Sequence, residues 1–131
     1  MGWAMTASGY ISVERDDRKK SYQAFIQTVE KVKKGSSIII FPEGTRSEDG
    51  IIGTFKKGSN LIASRSNSPM VPVTIIGSGN IIKKGSAVIH PGKVQIILSP
   101  TVTIDPGKKD DGEILNSIRE TILANQRQSI K

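Results

Sequence analysis

The stretch Ser37-Ile38-Ile39-Ile40-Phe41, running without a break into Pro42-Glu43-Gly44-Thr45-Arg46-Ser47, decides how this chain is read. A continuous β-branched and aromatic run predicts a strand covered on both faces by helices. The segment after it is a loop, because Pro42, Gly44, Ser47, Asp49 and Gly50 are turn formers set close together. A buried strand that opens into a polar loop is where an α/β sheet places its ligand sites.

Upstream, Tyr22, Phe25, Ile26, Val29 and Val32 recur at three- and four-residue steps, which predicts one apolar stripe of a helix. Asp16 or Asp17 can cap its start and Gly35 can stop it. Before that helix, alternation over Tyr10 to Glu14 predicts a strand with Arg15 at its exit. Downstream of the loop, a Gly/Lys-rich stretch from Gly53 to Gly58 leads into a short helix, about Ser59 to Arg65, closed by Asn67 and Pro69. Val71 to Ile76 reads as a buried strand that Pro72 starts at a sheet margin, and Gly77-Ser78-Gly79-Asn80 turns the chain. Lys93 to Leu98 reads as a further strand. The last helix runs from about Gly112 to Gln126, with Ile114, Leu115, Ile118 and Ile122 on one side and Asp110 or Asp111 as its cap. This alternation predicts an α/β fold, with a central mainly parallel or mixed sheet flanked by helices.

The bulk properties bound the rest. The 131 residues suffice for a single domain, 1–131, with a real core, and 36% hydrophobic against 24% charged residues suits a globular fold. A net charge of +7 points to an anionic partner: nucleic acid, an anionic membrane surface or a phosphorylated small molecule. Absence of Cys excludes disulfides and thiolate catalysis. No apolar run approaches the roughly 20 residues needed to cross a bilayer, and no secretory signal pattern opens the sequence. Met1 to Thr6 satisfies a short myristoylation pattern that is loose enough to arise by chance.

The loop carries the chemistry. Gly44 admits a ligand close to the backbone, Thr45 and backbone N–H groups donate, and Arg46 offers a planar fork matched to phosphate oxygens. Glu43 is placed to hold that fork. The plainer alternative is a surface turn with an incidental Glu–Arg pair, and for Glu-Gly-Thr-Arg in isolation it stands first. Arg15 at another strand exit and the run Phe55-Lys56-Lys57-Gly58 add cations that can converge on one phosphate, which shifts the balance. Rival phosphate motifs fail. Gly53 to Ser59 has Ser59 where a Walker A loop needs lysine, and Gly77-Ser78-Gly79 meets Ile82 where a dinucleotide fingerprint needs its third glycine or alanine.

Taken in order, these segments resemble three of the four ordered blocks of the 1-acylglycerol-3-phosphate acyltransferase family. Gly9-Tyr10-Ile11-Ser12-Val13-Glu14-Arg15 is similar to the second block, which ends in a phosphate-binding arginine. Phe41 to Ser47 resembles the third at every position, with Phe55 to Gly58 following as in the family, and Val71-Pro72-Val73-Thr74-Ile75 approaches the fourth. The third block is highly specific; the others gain weight from order and spacing.

The resemblance implies a glycerolipid acyltransferase-like fold, incomplete at the N-terminus. It implies acyl transfer from acyl-CoA or acyl carrier protein to the hydroxyl of lysophosphatidic acid, with no further cofactor and no metal. It assigns the acceptor phosphate to Arg15, Glu43, Gly44, Thr45 and Arg46, with Lys57 a weaker addition. The family's first block, His-x-x-x-x-Asp, supplies the general base, and these residues do not contain it: the single histidine, His90, has Gln95 where the aspartate is needed. The expectation is a C-terminal part of a catalytic domain, inactive alone and peripheral to the cytoplasmic face of a membrane. A non-catalytic module binding anionic phospholipid is the alternative. Nucleic-acid binding is not expected, since one Trp, two Tyr and three Phe leave few stacking platforms.

Overall fold

The computed structural model describes residues 17–45, 47, 50–82, 85–103 and 111–129. The predicted strand from Tyr10 to Glu14, with Arg15 at its exit, lies outside them, as do Asp16 and Asp110. The backbone clusters into two compact units, residues 1–39 and 40–131.

In the first unit, α1 (Arg18–Lys33) starts at Asp17, whose carboxylate accepts from the Lys19 and Lys20 amides at 2.8 and 3.1 Å. These two bonds satisfy N–H groups that a helix start leaves without partners. The helix stops at Gly35, left-handed at φ +90°, where the Ser36 amide donates to the Lys31 carbonyl and the Gly35 amide to that of Val32. That pair of bonds is a Schellman closure. The buried face is Ala24, Thr28 and Val29, while Tyr22 and Ile26 of the expected stripe are exposed. The stripe is therefore rotated toward smaller residues. Thr28 tolerates burial because its hydroxyl donates to the Ala24 carbonyl at 2.7 Å.

The strand expected at Ser37 to Phe41 is corrected. Residues 36–41 belong to no sheet, and Ile39 and Phe41 are 86% and 69% exposed. A run this apolar becomes a buried strand only when neighbouring strands supply its ladder, and none among the described residues does.

The second unit contains α2 (Lys57–Ser66), β1 (Val73–Ile76), the single-turn α3 (Ser78–Ile81), β2 (Gln95–Leu98) and α4 (Asp111–Ser129). Asn67, at φ +50°, ends α2 in the left-handed region that Asn accepts more readily than most residues. β1 pairs antiparallel with β2, Val73 opposite Leu98 and Ile75 opposite Ile96. The pairing extends through Ser99 N–H to the Pro72 carbonyl and through Met70 and Val102. Pro72 thus contributes only its acceptor to the ladder. This antiparallel pair is the sheet of the described residues, so the expected mainly parallel centre is not what they form. α4 lies against α2 and β1.

Alternation gives the sheet two unlike faces. Thr74, 2% exposed, points to the covered side, where the Asn125 amide of α4 donates to its hydroxyl at 3.1 Å and to the Ser99 hydroxyl at 2.9 Å. Val73, Ile75, Ile96 and Leu98 occupy the opposite side and are exposed. Among the described residues, no helix is long and apolar enough to cross a membrane.

Candidate functional site

The polar loop after Phe41 opens with a tight turn. Gly44 N–H donates to the Phe41 carbonyl at 3.0 Å, with Pro42 and Glu43 at the turn's centre. Proline's fixed φ favours that second position, and Gly44 takes φ +69°.

The segment after the loop laces this turn at three points. The Lys56 amide donates to the Pro42 carbonyl at 2.8 Å. The Gly53 amide donates to Glu43 Oε2 at 2.8 Å. Finally, the Lys56 side chain covers Gly44: a Cβ built there would lie 3.1 Å from Cε and 3.2 Å from Nζ. Because α2 begins at the next residue, the helix end that favours negative charge starts beside the turn.

Glu43, Gly44 and Thr45 are together in the turn, with Glu43 and Gly44 half-buried and Thr45 exposed. Arg15 and Arg46 lie outside the described residues. Lys57 is the first residue of α2. Glu43 Oε2 accepts from the Gly53 backbone amide, while the pairing expected with the Arg46 fork falls on a residue outside those described. His90 is exposed, and its amide donates to the Ile81 carbonyl at 2.8 Å.

Lys56, which the sequence offered only within the run Phe55 to Gly58, covers Gly44 and makes no ion pair with a described residue. Two further residues escaped the sequence reading. Arg119 and Gln126 of α4 reach back to the loop: Arg119 Nε donates to the Gly53 carbonyl at 3.0 Å, Nη2 to that of Ile52 at 3.2 Å, and Gln126 Nε2 to that of Gly50 at 2.7 Å. Their seven-residue spacing, two helical turns, was visible, but the carbonyls they meet were not.

The model of the Acyltransferase family matches residues 1–76, which include every predicted site residue. The chain belongs to that family. Among similar proteins, a chloroplastic 1-acyl-sn-glycerol-3-phosphate acyltransferase of Brassica napus is 38% identical over 126 residues, 93% of this chain and 36% of that relative. A chloroplastic 1-acyl-sn-glycerol-3-phosphate acyltransferase of Arabidopsis thaliana is 38% identical over 99 residues, 75% of this chain and 28% of its own length. The crystal structure of the 1-acyl-sn-glycerophosphate acyltransferase PlsC from Thermotoga maritima superposes with a TM-score of 0.76 at 34% identity, covering 82% of this chain and 46% of that one. The glycerolipid acyltransferase fold follows from this likeness. The chain spans about a third of the length of these two curated relatives.

One prediction arises from the turn. Gly44→Ala is expected to cost about 1–2 kcal/mol, the strain of a left-handed L-residue, and to push the Lys56 side chain aside. Urea unfolding measures the first effect. An unchanged midpoint would show that the turn does not need glycine.

Proposed function

We propose that this chain holds the acceptor phosphate of a 1-acylglycerol-3-phosphate acyltransferase, which transfers an acyl group to lysophosphatidic acid and yields phosphatidic acid. The observation that carries the reading is the Glu43-Gly44-Thr45 turn. It is fastened by the Gly53 amide, covered by the Lys56 ammonium, and contained in the family-matched residues.

In the reaction, a histidine outside these 131 residues removes the proton of the acceptor hydroxyl. The hydroxyl oxygen then attacks the thioester carbonyl of acyl-CoA or acyl carrier protein, the C–S bond breaks, and the departing sulfur takes the proton back. No cofactor and no covalent enzyme intermediate are required. The work of this chain is to hold the acceptor, a positioning effect worth about 7–11 kcal/mol of barrier in favourable cases. Arg15 and Arg46 supply guanidinium donors in this reading, Thr45 its hydroxyl, and Gly44 a close approach to the backbone. Lys56 and the start of α2 add positive potential, and Lys57 a further charge. In this reading the acceptor is a membrane lipid and the chain works peripherally, at the cytoplasmic face of a membrane.

Binding to phosphatidylcholine vesicles with and without lysophosphatidic acid tests the pocket. Arg46→Ala should weaken the lysophosphatidic-acid-dependent part at least about tenfold, and exposed Lys33→Ala less than about twofold. Equal losses would indicate a diffuse basic surface. In a radiolabelled acyl-transfer assay the 131-residue chain alone should give no turnover. Turnover that survives His90→Ala would overturn the histidine step. A second reading, a headgroup-binding module without catalysis, is favoured by the +7 charge together with the lack of a His-x-x-x-x-Asp block in these residues.

A further inference from the structure

The peptide group joining Ile52 to Gly53 is gripped from both ends by opposite charges. Its carbonyl accepts from Arg119 Nη2 at 3.2 Å, and its N–H donates to Glu43 Oε2 at 2.8 Å. The next carbonyl, that of Gly53, accepts from Arg119 Nε at 3.0 Å. A cation at the oxygen and a carboxylate at the hydrogen polarise the same amide in the same sense, so each bond strengthens the other. Two turns further along the helix, Gln126 holds the Gly50 carbonyl at 2.7 Å. The loop is therefore clamped by one side of α4, a helix fixed beneath the sheet by Asn125 and by buried Ile114 and Ile118.

The consequence reaches the anion site. Glu43 and the Lys56 ammonium both belong to the laced turn, and a carboxylate free to swing would pair with that ammonium. Anchored to Gly53, Glu43 leaves the positive charge of Lys56 to a ligand. We propose that Arg119, outside the family-matched residues 1–76, is a positioning residue of the acceptor site that acts through the Ile52–Gly53 peptide on Glu43. This inference rests on the acceptor-phosphate reading. It deepens that reading by giving α4 a part in binding, with lysophosphatidic acid or another phosphomonoester lipid as the ligand.

The test uses the full chain and four proteins: unaltered, Arg119→Ala, Arg119→Lys and Arg127→Ala, an exposed arginine on the same helix that makes the same charge change. Each is measured for binding to phosphatidylcholine vesicles with and without lysophosphatidic acid, for amide exchange at Gly53, and for thermal unfolding. Arg119→Ala should weaken the lysophosphatidic-acid-dependent binding about tenfold and speed Gly53 exchange, while the unfolding midpoint stays near that of Arg127→Ala. Arg119→Lys, which keeps the charge but loses the fork, should fall between. Unaltered binding or unaltered Gly53 exchange in Arg119→Ala overturns the inference alone. So does an equal loss in Arg127→Ala, or a loss that appears only together with unfolding. If the unaltered, folded chain fails to prefer vesicles with lysophosphatidic acid, the acceptor-site reading falls and takes this inference with it.

Discussion

Gly77→Ala lowers the free energy of unfolding by about 3 kcal/mol. Two effects add at this position. Gly77 sits at φ +87°, where an L side chain is strained, and its backbone bends the chain from β1 into α3. An alanine Cβ would also drive into the carbonyl oxygen of Lys93, with Val94 Cα 3.9 Å away. That oxygen is main chain, two residues ahead of β2, and cannot swing aside as a side-chain tip would. Relief requires β2 to shift against β1 and disturbs the pairing of Ile76 with Gln95. Gly85→Ala separates the two effects, since Gly85 has φ +79° and open space where its Cβ would go. It should cost only about 1 kcal/mol, the torsional part. Urea denaturation of both variants gives the comparison, and equal losses would remove the steric account.

Ile114→Ala is expected to cost about 3 kcal/mol, the usual result of emptying a well-packed aliphatic site. At 2% exposure Ile114 is the most buried apolar residue described, and Ile118 one turn later shares its burial at 8%. The effect should extend to the site. α4 carries Arg119 on its next turn and Asn125 two turns beyond, so a loosened helix relaxes the clamp on residues 50–53 and the support of Thr74 together. Ile114→Ala should therefore both lower the unfolding midpoint and speed Gly53 amide exchange, whereas the less buried Ile122→Ala does less of each. A loss below about 1 kcal/mol would mean that Ile114 is not part of a tightly packed core.

Caps and stops were legible because they are local. Asp17 and Gly35 act on amides and carbonyls within a turn of themselves, and they set the α1 boundaries. The last helix, expected over about Gly112 to Gln126 and observed over Asp111–Ser129, was legible for a similar reason, since four aliphatic residues recur at helical spacing. The phase of α1 was not, because Ala24 and Thr28 carry a weaker apolar signal than Tyr22 and Ile26, and only packing showed that small residues face inward.

Glu43 shows the same limit within the site. Its carboxylate accepts across ten residues from a glycine amide, a donor that every residue but proline offers and that the sequence reading did not name. Backbone partners have no sequence signature. That Lys56 covers Gly44 was hidden for a related reason, because a residue's type does not give its side chain's direction.

By itself, the sequence determined the family, the turn that opens at Phe41 and the two ends of α1, since each depends on residue identity over a few neighbouring positions. Only the tertiary structure decided that the described strands pair antiparallel, that Ile39 and Phe41 lie exposed, and that Arg119 and Gln126 hold a loop more than sixty residues away. Those outcomes depend on which surfaces meet across long stretches of chain, where the partner of a side chain is a carbonyl or a packed face rather than a particular amino acid.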